Sequence, residues 1–286
     1  MIYIKKFLKK NFPNFYEILF IVYNNILLKR NNVKFSGWGL RTSTSIPWDN
    51  ISKNRTSKGF ISTKKKLDDK IKSKEFYLAQ IENYYETIDF QDVLDHYEEL
   101  NYRHYVIYYS ALLAFENTNS RNVVECGAAE GLSIFFCISN FNKDKNYKVY
   151  LYDSWEMMRE NELKTKKDLE RKGNYHYLNI DIIKNNLKEF KNHIIYNKGF
   201  VPESFKTSIN PDKISWLHID FNSSMPTLES LKFFYPKLEN NGVILLDDYG
   251  HDGFEDTRAV VEDFFENKNV QFLQLMTGQA IVMKMA

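Results

Sequence analysis

The sequence predicts an α/β protein built on a seven-stranded, mostly parallel sheet that ends in an antiparallel hairpin. Two observations support this fold class. From Asn122 onward, short apolar runs alternate with helical patterns, as expected for a parallel sheet with helices on both faces. The last two runs, Val270–Met276 and Ala280–Met285, are separated only by Thr277-Gly278-Gln279, a spacing typical of a hairpin.

The individual elements follow from these patterns. Five apolar runs are predicted to be the parallel strands: Val123–Cys126, Lys148–Tyr152, His193–Tyr196, Trp216–Ile219 and Val243–Leu246. Helices are predicted between and after them: Gly131–Phe141, roughly Arg159–Lys191, Thr227–Leu238 and Phe254–Asn267. Upstream, helical periodicity from about Ser73 to Glu116 is strongest over Tyr102–Phe115, whose aromatic side chains are expected to pack.

Composition bounds the class of protein. A chain of 286 residues with 43% hydrophobic and 27% charged residues is globular and can bury a sizeable core. The net charge of +2 argues against nucleic acid as a partner. The two cysteines, Cys126 and Cys137, lack a metal-binding spacing, so a reduced, cytoplasmic setting is expected.

The sequence divides into an N-terminal extension, residues 1–73, and an α/β domain, residues 74–286. The extension begins with a basic segment and the apolar run Phe15–Leu28, which is too short to span a bilayer and lacks a signal cleavage site. The favoured interpretation is a helix that packs on its own domain or across a homo-oligomer. The alternative is a basic amphipathic helix in residues 1–30 that contacts a membrane surface. Residues 31–73 are predicted to be irregular, as a linker or a lid.

The turn after the first strand is a candidate cofactor site. Gly127, Ala128 and Ala129 offer main chain without bulky side chains, and the helix that follows Gly131 directs its N-terminal amides towards a ligand carboxylate. A dinucleotide site would prefer G-x-G-x-x-G, which this turn matches at two positions only. The candidate binding residues are Glu125, Gly127, Ala128, Gly131 and Ser133.

The ends of the second and third strands add further candidates. Asp153 can accept both hydroxyls of a ribose, as acidic residues do in dinucleotide-binding folds, and Ser154 follows it. A helix N-cap is the other role open to Asp153. Gly199 follows the third strand, where an adenine ring could lie.

Three carboxylates mark a candidate metal site. Asp220 follows the fourth strand, and Asp247 and Asp248 follow the fifth, so they converge if the two strands are neighbours. Clustered carboxylates repel one another unless a cation lies between them, and oxygen ligands favour Mg²⁺ or Mn²⁺. Asp220 is also a candidate proton acceptor, with His251 as the second candidate. His218 is expected to be structural.

These motifs together resemble the macrocin O-methyltransferase family of class I S-adenosylmethionine-dependent methyltransferases. The resemblance is carried by VVECGAAEGLS, YDSWE, HIDFNSSMPTLESLKFFYPKLENNGVILLDDYG and TGQAIVMK. It implies a Rossmann-like fold and Mg²⁺-dependent methylation of a sugar hydroxyl, in a sugar-containing small molecule or a surface-glycan precursor. Asp220, Asp247 and Asp248 match the family's metal positions. The family's D-x-D-x-Y motif is altered here, since Asn222 replaces the second acid and Ser224 the aromatic residue.

Two other functions stay open on the sequence. One is a metal-independent N-methyltransferase that uses the same cofactor. The other is a methyltransferase-like protein without activity that acts as a scaffold in a glycan assembly complex, an alternative that the changes at Asn222 and Ser224 keep open.

Overall fold

The computed structural model describes residues 58–78, 101–141, 146–160, 163 and 165–286, together with positions 11, 12, 15, 18, 19 and 22. Apart from those few positions, the predicted N-terminal helix and its membrane contact lie outside the described residues. No helix within the described ranges is long and apolar enough to cross a bilayer.

Seven strands form one sheet, which confirms the predicted fold class. The strands are β1 (Asn122–Cys126), β2 (Lys148–Asp153), β3 (Ile194–Lys198), β4 (Ile214–Ile219), β5 (Leu238–Leu246), β6 (Val270–Gln274) and β7 (Ala280–Lys284). Their order is β3-β2-β1-β4-β5-β7-β6, and only the pairs that involve β7 are antiparallel. The strand order reverses between β1 and β4, and in open α/β sheets ligands bind at such a reversal.

The α-helices of the described ranges surround this sheet. They are α1 (Lys58–Lys72), α2 (Asn101–Asn117), α3 (Leu132–Ile138), α4 (Lys166–Leu169), α5 (Ile180–Asn186), α6 (Ser224–Phe234) and α7 (Glu255–Phe265). The prediction of one long helix over roughly Arg159–Lys191 is wrong, because among the described residues of that stretch only α4 and α5 are α-helical. Gly173 and Tyr175 interrupt it with φ angles of +85° and +62°.

Helix α1 lies in the segment that the sequence predicts to be irregular. Its apolar residues Phe60, Leu67 and Ile71 are spaced by seven and four positions, and all three are buried. The Phe60 ring stacks on Phe136 of α3 at a centroid distance of 5.6 Å. Lysines lie between these apolar positions and make the segment polar on average, so the helical period of its apolar residues is difficult to recognise in the sequence.

The core has two parts, one on each face of the sheet. Alternation along β1 and β4 sends Val123 and Trp216 to the face covered by α1, α2 and α3. Val124 and Leu217 point to the opposite face, which α6 and α7 cover. His218 follows the first pattern, so it lies on the same face of β4 as Trp216.

Candidate functional site

A cleft of about 700 Å³ opens at the carboxyl ends of β1, β2, β3 and β4. That volume includes open solvent at the mouth of the cleft. Four of the predicted cofactor residues line it, namely Gly127, Asp153, Ser154 and Gly199. Asp220 and Asn222 line the same cleft, so the cofactor candidates and the first acidic candidate share one cavity.

Gly127 is constrained by the protein's own main chain. Its φ is +83°, and a Cβ atom at this position would lie 1.9 Å from the carbonyl oxygen of Asp220. Its amide donates a hydrogen bond to the carbonyl oxygen of Tyr152 at 2.8 Å. The glycine therefore permits β1 and β4 to end close together, and it leaves bare main chain at the cleft.

Asp153 connects two loops at the cleft. Its Oδ2 accepts a hydrogen bond from the amide of Ala129 (2.9 Å), and its Oδ1 accepts one from the amide of Trp155 (2.6 Å). The Trp155 indole in turn donates to the carbonyl oxygen of Ala129 at 3.0 Å. Burial raises the pKa of Asp153, while these amide hydrogen bonds counteract the rise. Asp153 thus fixes the turn after β1 to the chain that leaves β2.

Four other predicted cofactor residues support this turn, and none of them is among the described residues that line the cleft. Glu125 is buried and contacts His218, and Ala128 is buried as well. Gly131 precedes α3 with a φ of +85°, and a Cβ there would lie 2.9 Å from Ile183. Ser133 lies in the first turn of α3.

Backbone strain is concentrated at this end of the sheet. Ala129, Trp155, Tyr175 and Asn222 are not glycines, yet their φ angles lie between +41° and +62°. Such conformations cost on the order of 1–3 kcal/mol each and cluster at ligand-binding sites. Ala129, part of the predicted cofactor turn, and Tyr175 also line the cleft. Tyr175 was not predicted, because a φ angle leaves no mark in the residue pattern.

Asp220 and Asp247 lie side by side, as expected from neighbouring strands. Strand β4 pairs with β5 in parallel, with Ile219 opposite Leu246, so the next residue of each strand is at the same level. Asp247 is held from two sides: its Oδ1 accepts a hydrogen bond from the Gln279 side chain (2.8 Å), and its Oδ2 forms an ion pair with Arg103 of α2.

Asp248 turns towards Asn222, whose main-chain amide donates a hydrogen bond to Oδ2 of Asp248 at 2.6 Å. Burial and the negative charge of Asp220 raise the pKa of Asp248 well above its ordinary value, against the opposing effects of this hydrogen bond and of Arg103. The cluster therefore favours a bound positive charge or a proton.

His218 joins this acidic cluster. His218, Asp220 and Asp247 each offer one atom that can bind a metal, and these three atoms lie within 4.8 Å of one another. The Nδ1 of His218 is 2.8 Å from Oε1 of Glu125 on the neighbouring strand. Burial lowers the pKa of His218 to about 4. Three groups in such an arrangement could hold a metal ion.

The two positions that depart from the family motif have partners of their own. The Asn222 side chain donates to the Tyr175 hydroxyl at 2.9 Å and to Oδ1 of Asp220 at 3.4 Å. Ser224 donates to Oδ2 of Asp168 at 2.9 Å. Both side chains thus connect the segment between β2 and β3 to the end of β4.

His251 packs against the turn before β7. Its ring is so close to Gly278 that a Cβ there would be 2.3 Å from the imidazole. Burial, followed by the charge of Arg103, lowers the pKa of His251. It is absent from the described residues that line the cleft.

Residues 124–249 match the model of a family described as a methyltransferase domain. The predicted enzyme class, an S-adenosylmethionine-dependent methyltransferase, is thereby confirmed. The matched stretch includes the second half of β1, all of β4 and all of β5, and so every candidate acid described above. No curated protein sequence matches the chain.

Solved structures confirm the fold of the methyltransferase domain. The O-methyltransferase NovP is 16% identical, and the similarity covers 64% of this chain and 80% of NovP with a TM-score of 0.55. The calicheamicin methyltransferase CalS11 is 10% identical, over 72% of this chain and 89% of that protein, with a TM-score of 0.51. At these identities the similarity concerns the Rossmann-like fold alone.

Proposed function

We propose that this methyltransferase transfers a methyl group from S-adenosylmethionine to a sugar hydroxyl, in a glycan or a glycosylated metabolite, with a divalent cation at Asp220, Asp247 and Asp248. The observation that carries this proposal is the position of Asp220. It lines the cleft and also belongs to the acidic cluster. A cofactor in the cleft and an acceptor at the cluster would therefore meet at this residue.

The acidic cluster fits a divalent cation such as Mg²⁺ or Mn²⁺. Asp220 and Asp247 approach closely, and Asp248 is buried with a raised pKa, an arrangement that a positive charge would stabilise. When bound, a divalent cation would lower the pKa of an acceptor hydroxyl, which is otherwise a weak nucleophile at neutral pH. Asp220 is the preferred proton acceptor because it lines the cleft, whereas His251 remains a second candidate.

The cofactor side of the cleft fits an adenosine-containing ligand. S-Adenosylmethionine would supply the methyl group from its sulfonium. Gly127 leaves main chain exposed, and Asp153 presents a carboxylate whose oxygens each keep a further lone pair beyond the amides they already accept from. The carboxylate is proposed to accept the ribose hydroxyls. Ser154 and Gly199 complete this side of the cleft.

The sugar acceptor rests on the resemblance to macrocin O-methyltransferases over the motifs that include Asp220, Asp247 and Asp248. The proposal further includes a cytoplasmic enzyme without nucleic-acid partners. Residues 1–30 are proposed to pack on their own domain or across a homo-oligomer, with peripheral membrane contact as the alternative. Mass spectrometry of surface glycans from cells with and without the gene would identify the methylated sugar, and identical glycans would contradict a glycan acceptor.

Titration calorimetry with S-adenosylhomocysteine, and separately with Mg²⁺ and Mn²⁺, tests the proposed function directly. Binding of both the cofactor product and a metal is expected. Cofactor binding without any metal binding would favour methylation of an amine, where no metal is required. Binding of neither would favour the scaffold alternative and contradict the proposal.

Replacing Asp153 by alanine is expected to weaken S-adenosylhomocysteine binding by about 1.5–3 kcal/mol, the range for hydrogen bonds to a charged group. The matched control is Trp155→Phe, which removes the indole bond to Ala129 and leaves the carboxylate in place. Calorimetry should show a clear loss for Asp153→Ala and a smaller one for Trp155→Phe. An unchanged dissociation constant for Asp153→Ala would reduce Asp153 to a loop-capping residue.

A further inference from the structure

We infer that His218 is a nitrogen ligand of the cation in the proposed site, together with Asp220 and Asp247, and that Glu125 is the positioning residue that orients its ring. This inference rests on the proposed function, since it concerns the metal of that site. It replaces the structural role that the sequence predicts for His218, and it changes which metal the site should prefer.

The first step is the burial of an imidazole nitrogen without a partner. The His218 side chain is fully buried, and within the described part of the chain its Nε2 has no hydrogen-bond partner. The nearest carboxylate oxygen, Oδ1 of Asp247, is 3.9 Å away, which is too far for a hydrogen bond. A buried polar atom in this state costs free energy unless something else binds it.

The second step is the direction of the Nε2 lone pair. Glu125 lies 2.8 Å from Nδ1. We assign the ring proton to Nδ1, where the Glu125 carboxylate accepts it, so that Nε2 keeps its lone pair on the side of Asp247 Oδ1. A lone pair and a carboxylate oxygen that face each other repel unless a cation lies between them. Metal–ligand distances are about 2.1 Å, so one ion can contact two atoms separated by up to about 4.2 Å. The observed 3.9 Å satisfies this limit.

The third step concerns the groups behind these ligands. Histidine ligands usually donate their other ring N–H to a carboxylate, and carboxylate ligands are hydrogen-bonded in turn. Glu125 supports His218 in this way, from the register position directly opposite on β1. Gln279 and Arg103 contact the two oxygens of Asp247. The side-chain amide of Asn222 donates a hydrogen bond to Asp220. Each proposed ligand therefore has a supporting partner.

The inference has a consequence for metal selectivity. A site made of carboxylates alone suits Mg²⁺, whereas an imidazole ligand shifts the preference towards Mn²⁺ and later divalent metals. The protein is therefore expected to bind Mn²⁺ more tightly than Mg²⁺, and the difference should depend on His218.

The test uses the full chain, with Mn²⁺ binding followed by EPR and Mg²⁺ binding by calorimetry. His218→Gln is expected to weaken Mn²⁺ binding by about 10-fold or more, the scale found when metal-site groups are removed, with a smaller effect on Mg²⁺. His193→Gln is the matched control, because His193 stacks on Tyr147 beside β3, away from the cluster. It should leave both affinities unchanged.

Pulsed EPR of wild-type protein gives an independent result that does not depend on a variant folding correctly. Bound Mn²⁺ should show hyperfine coupling to an imidazole nitrogen, and His218→Gln should remove that coupling. Mn²⁺ bound without nitrogen coupling, or bound equally well by His218→Gln, would overturn the inference and leave the proposed metal site intact. If wild-type protein binds neither metal, the metal site of the proposed function fails, and the inference fails with it.

Discussion

Replacing Asp220 by asparagine is expected to lower kcat by at least about 100-fold, the scale seen when one electrostatic contact to a transition state is lost. Asp220 is the residue shared by the cleft and the acidic cluster, so its charge serves both the cation and the acceptor. Binding of S-adenosylhomocysteine should change much less, because Gly127 and Asp153 are unaffected. Asp212→Asn is the matched control, since Asp212 is exposed and outside the site.

The same substitution should alter the dependence of stability on pH. The folded-state pKa of Asp248 is raised well above its ordinary value by burial and by Asp220. Ionising Asp248 in the folded protein therefore costs free energy, and stability falls as the pH rises from the ordinary aspartate range towards the raised pKa. Asp220→Asn should make this fall shallower when unfolding is measured in chelator. Near wild-type turnover by Asp220→Asn would contradict the proposed role of Asp220.

Gly127→Ala is expected to have the largest effect on stability, at least about 3 kcal/mol, which only a few mechanisms can produce. A left-handed φ alone costs an alanine roughly 1–2 kcal/mol. The added Cβ would also lie 1.9 Å from the Asp220 carbonyl oxygen, and main chain in the sheet cannot easily move away.

Gly173→Ala separates these two contributions. Gly173 has almost the same φ, +85°, but a Cβ there would meet no described atom within 4 Å. Gly173→Ala should therefore lower the free energy of unfolding only by the cost of the left-handed backbone conformation, roughly 1–2 kcal/mol. Chemical denaturation of both variants measures the difference. Equal losses would show that the approach of Asp220 to Gly127 is unimportant for stability.

The strands were predictable because their signal is local. Runs such as Val123–Cys126 and Val243–Leu246 are rich in β-branched and apolar residues. Both strands end where predicted, whereas β1 begins one residue earlier and β5 five residues earlier. The convergence of Asp220 with Asp247 required one further assumption, that β4 and β5 are neighbours, which the sheet order satisfies.

The remaining parts of the site depend on tertiary contacts that leave no local pattern. Arg103 reaches Asp247 from α2, and Gln279 reaches it from the turn before β7. Tyr175 lies in a stretch that the periodicity assigned to a long helix, and its left-handed φ appears only in the structure. His218 was assigned a structural role because a buried strand residue normally packs, and its contact with Glu125 depends on the register of β1 and β4.

The connection made by Asp153 has a consequence for affinity. Its two oxygens and the Trp155 indole hold the turn after β1 and the chain after β2 together without a ligand. A ligand that enters this cleft finds both loops already ordered, so little conformational entropy is lost from the protein on association. Each side chain that must otherwise be immobilised costs about 0.5–1.5 kcal/mol. Most of the favourable free energy of the contacts between cleft and ligand therefore contributes to affinity.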